Sequence, residues 1–432
     1  MTQKPTWVRW RVTLLLIVAS FVDYFLRYNL SIAAPTMIPD LGLSEIQWGW
    51  VMAAFPLGYA IFQLPGGAAA DRFGPRRVLA LAMLAWGVLI ALTAAVPGPA
   101  LVPIGVTIAL LILVSFAVGA SHAPIYPTVA CTVRRWFPVG HWALPNGLTS
   151  TGLTWGAAAV TPALVALIAW AGWRVGFLAI APTAFIAAAL WWWYVRDYPK
   201  QHARVNESEL ALITANRAHY TGGEQRPGGW RLVVRNRDLL LLTLAYSCMN
   251  YGYYTVFSWF YYYLASISET AGTLAVTVTT LQWVAGGLAA ALGGWACDHL
   301  CRRWGFRIGC RAPIVVAMLA SGSLLLLGLA LDDVMLAAAC FVGFFFFNQF
   351  TEGPFWAASM AIGRRLAGSA GGVLNTGANA MGVIMTILAP VIAANFNWTV
   401  SMGTAAPFAF LAAALMMFVR ADLPVVFDES PA

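Results

Sequence analysis

A chain of 432 residues that is 60% hydrophobic and 10% charged, with a mean hydropathy of +0.74, is too apolar for a soluble globular domain, in which about 25% of residues are charged. The net charge of +8 would suit a nucleic-acid partner, but 23 of the 25 Lys and Arg gather at one side of a membrane topology and exclude that reading. At roughly 20 residues per crossing with short connectors, about twelve membrane helices fit this length.

In chain order the spans are expected at 12–36, 47–70, 78–97, 101–127, 144–169, 174–195, 238–264, 273–297, 312–331, 334–361, 371–394 and 399–420. The fold class is therefore an all-α membrane protein of twelve transmembrane helices in two six-helix bundles. The N-terminal bundle is expected over residues 1–196, a cytoplasmic linker over 197–237 and the C-terminal bundle over 238–432. The first apolar segment is too long for a signal-peptide core and lacks a small-residue cleavage site, so it reads as a retained helix. The linker is the only sizeable polar segment, and Asn206-Glu-Ser-Glu209 ahead of Leu210 marks a capped helix start within it.

Counting alternate loops as cytoplasmic, every Lys and Arg lies on that side or at its helix ends except Arg174, outside, and Arg27, inside the membrane. Asp40, Glu45, Glu269, Asp332 and Asp333 fall in the outer loops. The positive-inside rule then puts both termini and the linker in the cytoplasm, as expected for a multi-pass protein of a bacterial inner membrane.

Few ionisable groups lie deep in the spans, and each is a functional candidate because a charge facing lipid is costly. Asp23 and Arg27 on the first span share a helix face at i, i+4. Two readings stand: a neutralised ion pair, or an anion-binding guanidinium for which Asp23 competes until it is protonated. An Arg fork matches a carboxylate bidentately, which favours an anionic substrate. His122 on the fourth span and Glu352 on the tenth are candidate proton carriers, or else hydrogen-bonded packing groups. Tyr251 and Tyr254 belong to an aromatic cluster on the seventh span (Tyr246, Tyr253, Trp259, Tyr261, Tyr262 and Tyr263 are the others) and are placed to stack on a ring or bind hydroxyls. Cys297, His299 and Cys301, at i, i+2 and i+4 of a helix end, are not expected to converge on a metal. No cofactor is expected, and neither a phosphate-binding loop nor a nucleophile elbow stands in a plausible context for an enzyme.

After the second span comes Gly67-Ala-Ala-Ala-Asp71-Arg72-Phe-Gly74-Pro-Arg76-Arg77, and a decayed copy, Gly294-Trp-Ala-Cys-Asp298 with Arg302 and Arg303, follows the eighth. Each ends a helix in small residues, then presents a carboxylate and guanidinium groups at a turn. This repeat resembles the loops between helices two and three and between eight and nine of major facilitator superfamily transporters. Gly67, Asp71, Arg72, Arg76, Asp298 and Arg302 are then the expected gating residues.

Longer stretches resemble one branch of that superfamily, the anion:cation symporters: Leu26-Arg27-Tyr28-Asn29-Leu30-Ser31, Ala54-Phe55-Pro-Leu-Gly58-Tyr59 with Gln63-Leu-Pro65-Gly66-Gly67, Ala123-Pro124-Ile-Tyr-Pro127, Arg135-Trp136-Phe137-Pro138, Gly172-Trp173-Arg174, Ser258-Trp259 with Tyr263-Leu264, Pro354-Phe355-Trp356 and Gly371-Gly372-Val-Leu-Asn375-Thr-Gly377-Ala-Asn379. That branch carries sugar acids, aromatic acids and related organic anions, commonly with protons. The resemblance implies that Arg27 holds the substrate carboxylate and that Tyr59, Asn375 and Asn379 line the cavity. It departs from the family pattern at Leu26, Ser115 and His122, where many bacterial members carry Asp, Arg and Glu. The coupling set would then be relocated to Asp23, His122 and Glu352, or coupling would differ. The expected function is import of a small organic carboxylate with protons. Export or uniport of a related anion is the alternative, and a non-transporting sensor is a third reading.

Overall fold

The computed structural model describes residues 4–27, 29–215, 230–260, 263 and 271–423. Tyr28, Tyr261, Tyr262, Leu264, Glu269 and the linker residues Arg217 and Arg226 lie outside the described residues.

Eight helical stretches among the described residues are long and apolar enough to cross a bilayer. Val8–Ala34, Gln47–Phe73, Pro75–Ala94, Ile104–Trp136 and Trp398–Met416 are each of a length for one crossing. Ala143–Tyr194, Thr277–Ala330 and Val334–Asn395 run for 52, 54 and 62 residues, more than twice the roughly 20 that one crossing takes. Each contains a break at positive φ, at Gly172 (80°), Gly305 (76°) and Arg364 (45°), and so reads as two crossings back to back. Arg237–Thr255, continued by a π turn over Val256–Phe260, adds one more, which is consistent with twelve crossings.

Helix starts are fixed by local chemistry. Ser44 and Gln47 form a capping box on the second span. Asn236, Asp333 and Asn397 cap the seventh, tenth and twelfth in the same way, each accepting from a backbone N–H one turn on. Large apolar side chains such as Leu81, Leu113, Trp170, Ile186 and Val316 are exposed around the outside, a surface suited to hydrocarbon and not to water.

The two faces across the membrane differ in charge. On the acidic one, Trp173 and Arg174 both donate to Asp40 Oδ2 (2.8 and 2.7 Å), and these bonds hold its carboxyl below the usual carboxylate range. On the basic one, Asn206 caps the short helix Glu207–Thr214, whose buried Glu209 accepts from Thr6, from Val8 N (3.0 Å) and from Arg9 N (3.1 Å). The start of the linker thereby caps the first span.

Along the bundle interface the second span packs on the eleventh, and the fifth on the eighth. The approach is closest near the basic face, where a Cβ at Gly67 would stand 2.1 Å from Gly368 O and one at Gly147 would stand 2.1 Å from Ala290 O. Toward the acidic face the bundles separate around a largely apolar vestibule of about 1360 Å³.

Candidate functional site

At the floor of the vestibule lies a polar cleft of about 420 Å³ to which both bundles contribute. Tyr24, Arg27, Tyr59, Tyr126 and Ser150 come from the first half, and Tyr246, Asn250, Tyr253, Tyr254, Glu352, Asn375 and Asn379 from the second. Arg27, Tyr254 and Asn379 also line the vestibule, so the two spaces are continuous. Its polar lining suits a small polar ligand.

Arg27 stands at the junction. Its guanidinium carbon lies 5.0, 4.9 and 4.7 Å from the ring centroids of Tyr24, Phe55 and Tyr59, and Nη1 donates to Tyr24 Oη (3.1 Å). Rings engage a guanidinium through its faces, whereas a carboxylate is held along its N–H edges. An aromatic cage of this kind therefore fixes the plane of the fork that an anion would meet.

The pairing suggested by i, i+4 spacing gives way to a different partner. Asp23 Oδ1 lies 2.6 Å from His122 Nδ1, 99 residues away, and both side chains are fully buried within the N-terminal half. Trp86 stacks on the imidazole at 4.5 Å and Phe55 meets it edge-on. Asp23 Oδ2 and His122 Nε2 have no hydrogen-bond partner among the described residues. Asp23 points toward the fourth span, whereas Arg27, one turn on, is engaged with rings on the cavity side. Neither Asp23 nor His122 lines the cleft.

Glu352 does line it. It accepts from Tyr246 Oη through both oxygens (3.2 and 3.0 Å) and from Trp356 Nε1 (3.1 Å). On the eleventh span Asn379 Nδ2 donates to Asn375 O (2.7 Å), Tyr254 Oη donates to Asn379 Oδ1 (2.9 Å), and Asn375 Nδ2 reaches across to Tyr59 Oη at 3.5 Å. Tyr251 is elsewhere: it stacks on Phe408 and bonds Thr404, facing the twelfth span. Tyr24, Tyr126, Tyr246 and Asn250 were missed as cavity residues. Tyr24 at i+3 from Arg27 and Tyr126 in Ala123-Pro124-Ile-Tyr-Pro127 carried the available signals.

At the basic face the two repeated carboxylates make matching contacts. Asp71 accepts from Gly368 N (3.0 Å), Ser369 N (2.8 Å) and Ser369 Oγ (2.8 Å), at the start of the eleventh span. Asp298 accepts from Ala143 N (2.8 Å) and Leu144 N (3.0 Å), at the start of the fifth. Each loop thus caps a helix of the opposite bundle, an anion on a helix N-terminus. Arg135 Nη2 steadies the first loop through Asp71 O (3.3 Å). Arg302 lies over the Gly140 turn and lines the same cleft as Asp298. Arg72 rests on the Phe73 ring, and Arg76 bonds Trp192 O and ties the third span to the sixth, so neither joins the cross-bundle contact.

Cys297, His299 and Cys301 do not all meet at one point. His299 stays apart, stacked on Trp295, but Cys297 and Cys301 do converge, and Cys310 joins them from beyond the Gly305 break.

Comparison with known proteins agrees with this architecture. The family model described as Major Facilitator Superfamily matches residues 16–384. Curated relatives include the probable sulfoacetate transporter of Cupriavidus necator, 27% identical over 85% of this chain and 83% of that protein. The hexuronate transporter of Bacillus subtilis is 29% identical over 86% and 85%, and the probable galactarate/D-glucarate transporter of the same organism is 28% identical over 90% and 86%. Among solved structures, a proton:xylose symporter bound to a sugar analogue superposes with a TM-score of 0.71 at 16% identity, covering 95% of this chain and 96% of its own. FucP in an outward conformation does so at 0.70 and 15%, covering 94% and 98%. With a family match over most of its length and a fold shared with solved carriers, this multi-pass transporter belongs to the Major Facilitator Superfamily.

Proposed function

We propose that the chain imports a small organic carboxylate, a sugar acid in preference to an aromatic acid, together with protons, by alternating access. The observation that carries this reading is the caged Arg27 guanidinium opening onto a cleft lined by amide and phenol groups from both bundles. Arg27 holds the carboxylate, and Tyr59, Tyr254, Asn375 and Asn379 bind hydroxyls, with Tyr24 and Asn250 beside them. The relatives are named as a hexuronate transporter and as probable transporters of sulfoacetate and of galactarate or glucarate, and these names support an organic-anion substrate class. The basic face is the cytoplasmic side of a bacterial inner membrane, with both termini and the linker there. The proposed unit boundaries remain residues 1–196, 197–237 and 238–432. The described conformation then opens outward, with Asp71 and Asp298 closing the cytoplasmic gate.

Glu352 is the proton site within reach of substrate, and the Asp23–His122 pair is a second one behind Arg27. Coupling requires that protonation change the relative free energy of the two facing states. Glu352→Gln is therefore expected to retain substrate exchange across liposome membranes while losing accumulation driven by an inward proton gradient. Gradient-driven accumulation at the wild-type level in Glu352→Gln would remove Glu352 from the coupling path. The reading as a whole is tested by uptake of labelled hexuronate, glucarate and phthalate into proteoliposomes with and without that gradient. Gradient-independent equilibration of the same anion would make the protein a uniporter.

Asp71→Asn keeps the shape of the gate carboxylate but removes its charge and turns an amide NH2 toward N–H donors. Losing one such charge-assisted contact costs about 1 to 3 kcal/mol. Turnover is expected to fall about tenfold with KM changed no more than about threefold, by initial-rate uptake. A loss in KM alone would count against a gating role.

A further inference from the structure

Three of the six cysteines meet at the basic face. Cys297 and Cys301 lie one turn apart near the end of the eighth span, and Cys310 begins the ninth beyond the Gly305 break. Their sulfurs are separated by 3.8 Å (297 to 301), 3.7 Å (297 to 310) and 3.7 Å (301 to 310), a nearly equilateral triangle. Dividing that edge by √3 places the centre about 2.2 Å from every sulfur, close to the ~2.3 Å of a zinc–thiolate bond. All three are buried and none is in a disulfide.

The close approach of the two spans is built in at Gly309, where a Cβ would stand 2.5 Å from Cys301 Cα. A side chain there would push the ninth span away and take Cys310 out of the triangle. Access is also present: Cys301 lines a cleft of about 1790 Å³ at the basic face, together with Arg9, His141 and Arg302. Among the described residues, this trio is the one group of His, Cys, Asp or Glu side chains close enough together to hold a metal ion.

We propose that Cys297, Cys301 and Cys310 form a three-thiolate site for a soft d10 cation, with Cu(I) in trigonal coordination as the best fit. Thiolate donors select such ions, and three sulfurs with no fourth side chain suit a three-coordinate one better than tetrahedral Zn(II). As each sulfur–metal bond forms, the thiol proton is released to solvent, so three protons leave per ion and affinity rises with pH. The ion ties the eighth span to the ninth beside Asp298, which directly follows Cys297 and reaches across to the fifth span. It would stiffen the hairpin that carries this contact.

The test is a titration of reduced, purified full-length protein with Cu(I) against a chromophoric Cu(I) chelator. One retained equivalent is expected, with three sulfur neighbours by X-ray absorption. Cys297→Ser and Cys310→Ser, each checked for monodisperse elution, are expected to weaken binding by more than the roughly 10- to 100-fold typical of losing a supporting contact. A triple Cys131→Ser, Cys248→Ser, Cys340→Ser variant is expected to retain the ion. Failure of the wild type to hold Cu(I), or binding unchanged by Cys310→Ser in a folded variant, would overturn the site. Tighter retention of Zn(II) than of Cu(I) would overturn the three-coordinate assignment.

Discussion

Uptake by the Arg27→Lys variant is expected to fall about 100-fold in kcat/KM, and by Arg27→Ala further still, with both proteins reaching the membrane in normal amount. Three rings within 5.0 Å of the guanidinium carbon hold its plane, and a planar fork is what a carboxylate pairs with through two parallel hydrogen bonds. Lysine keeps the charge but loses the plane and the second donor. Truncating one partner of a buried, hydrogen-bonded charge pair costs about 2 to 5 kcal/mol, and each 1.4 kcal/mol is about tenfold. The measurement is initial-rate uptake in proteoliposomes, normalised to reconstituted protein. Transport by Arg27→Lys within about threefold of wild type would take Arg27 out of the substrate site. Uptake of a neutral analogue, unchanged by the substitution, would show that the loss lies in anion recognition and not in folding.

Gly67→Val is expected to abolish uptake for a different reason. The added Cβ alone would lie 2.1 Å from a backbone oxygen of the opposite bundle, which cannot swing aside as a side chain can. The severe overlap, with Gly368, exists only while the basic face is closed, and the milder 3.2 Å approach to Pro127 Cβ lies within the same bundle, so opening that face relieves most of the strain. Overpacking costs about 1 to 3 kcal/mol, which shifts a two-state equilibrium about 5- to 150-fold toward the open state. Maleimide labelling of a cysteine placed at Thr386, exposed in the vestibule, is expected to slow in the Gly67→Val background as the outward-open population drains. Wild-type labelling rates with uptake still absent would place the defect elsewhere in the cycle.

Much of the fold was legible because hydropathy, lysine and arginine placement and a repeated loop act over long windows, where single errors average out. The spans expected at 47–70 and 371–394 appear as Glu45–Phe73 and Ala367–Asn395. The eighth was expected to end at 297, but the helix continues to Gly305, with Cys301 packed inside against Cys297 and Cys310 while Arg302, Arg303 and Trp304 stay exposed. The site was legible only in part. Spacing on one helix suggested Asp23 with Arg27, but spacing says nothing about a histidine 99 residues away that offers a better-buried partner. Tyr251 and Tyr253 differ by about 200° around the helix, so one faces the twelfth span and the other the cleft. Composition could not separate them. Cys310 escaped notice because a helix-periodicity argument stops at the break that brings it back.

The two cross-bundle contacts at the basic face are uneven in what they demand of sequence. On one side stands a carboxylate that no other residue replaces well, Asp71 or Asp298. On the other stand backbone amides of residues 143, 144, 368 and 369, which nearly every amino acid would supply. Drift at Ala143 or Leu144 is therefore tolerated unless it introduces proline or bulk, whereas drift at either aspartate is not. A substitution scan across this face should give a lopsided tolerance map, intolerant at the two aspartates and at the glycines where the bundles touch, with, for the Asp298 contact, a receiving end that looks unselected although it makes half of every bond.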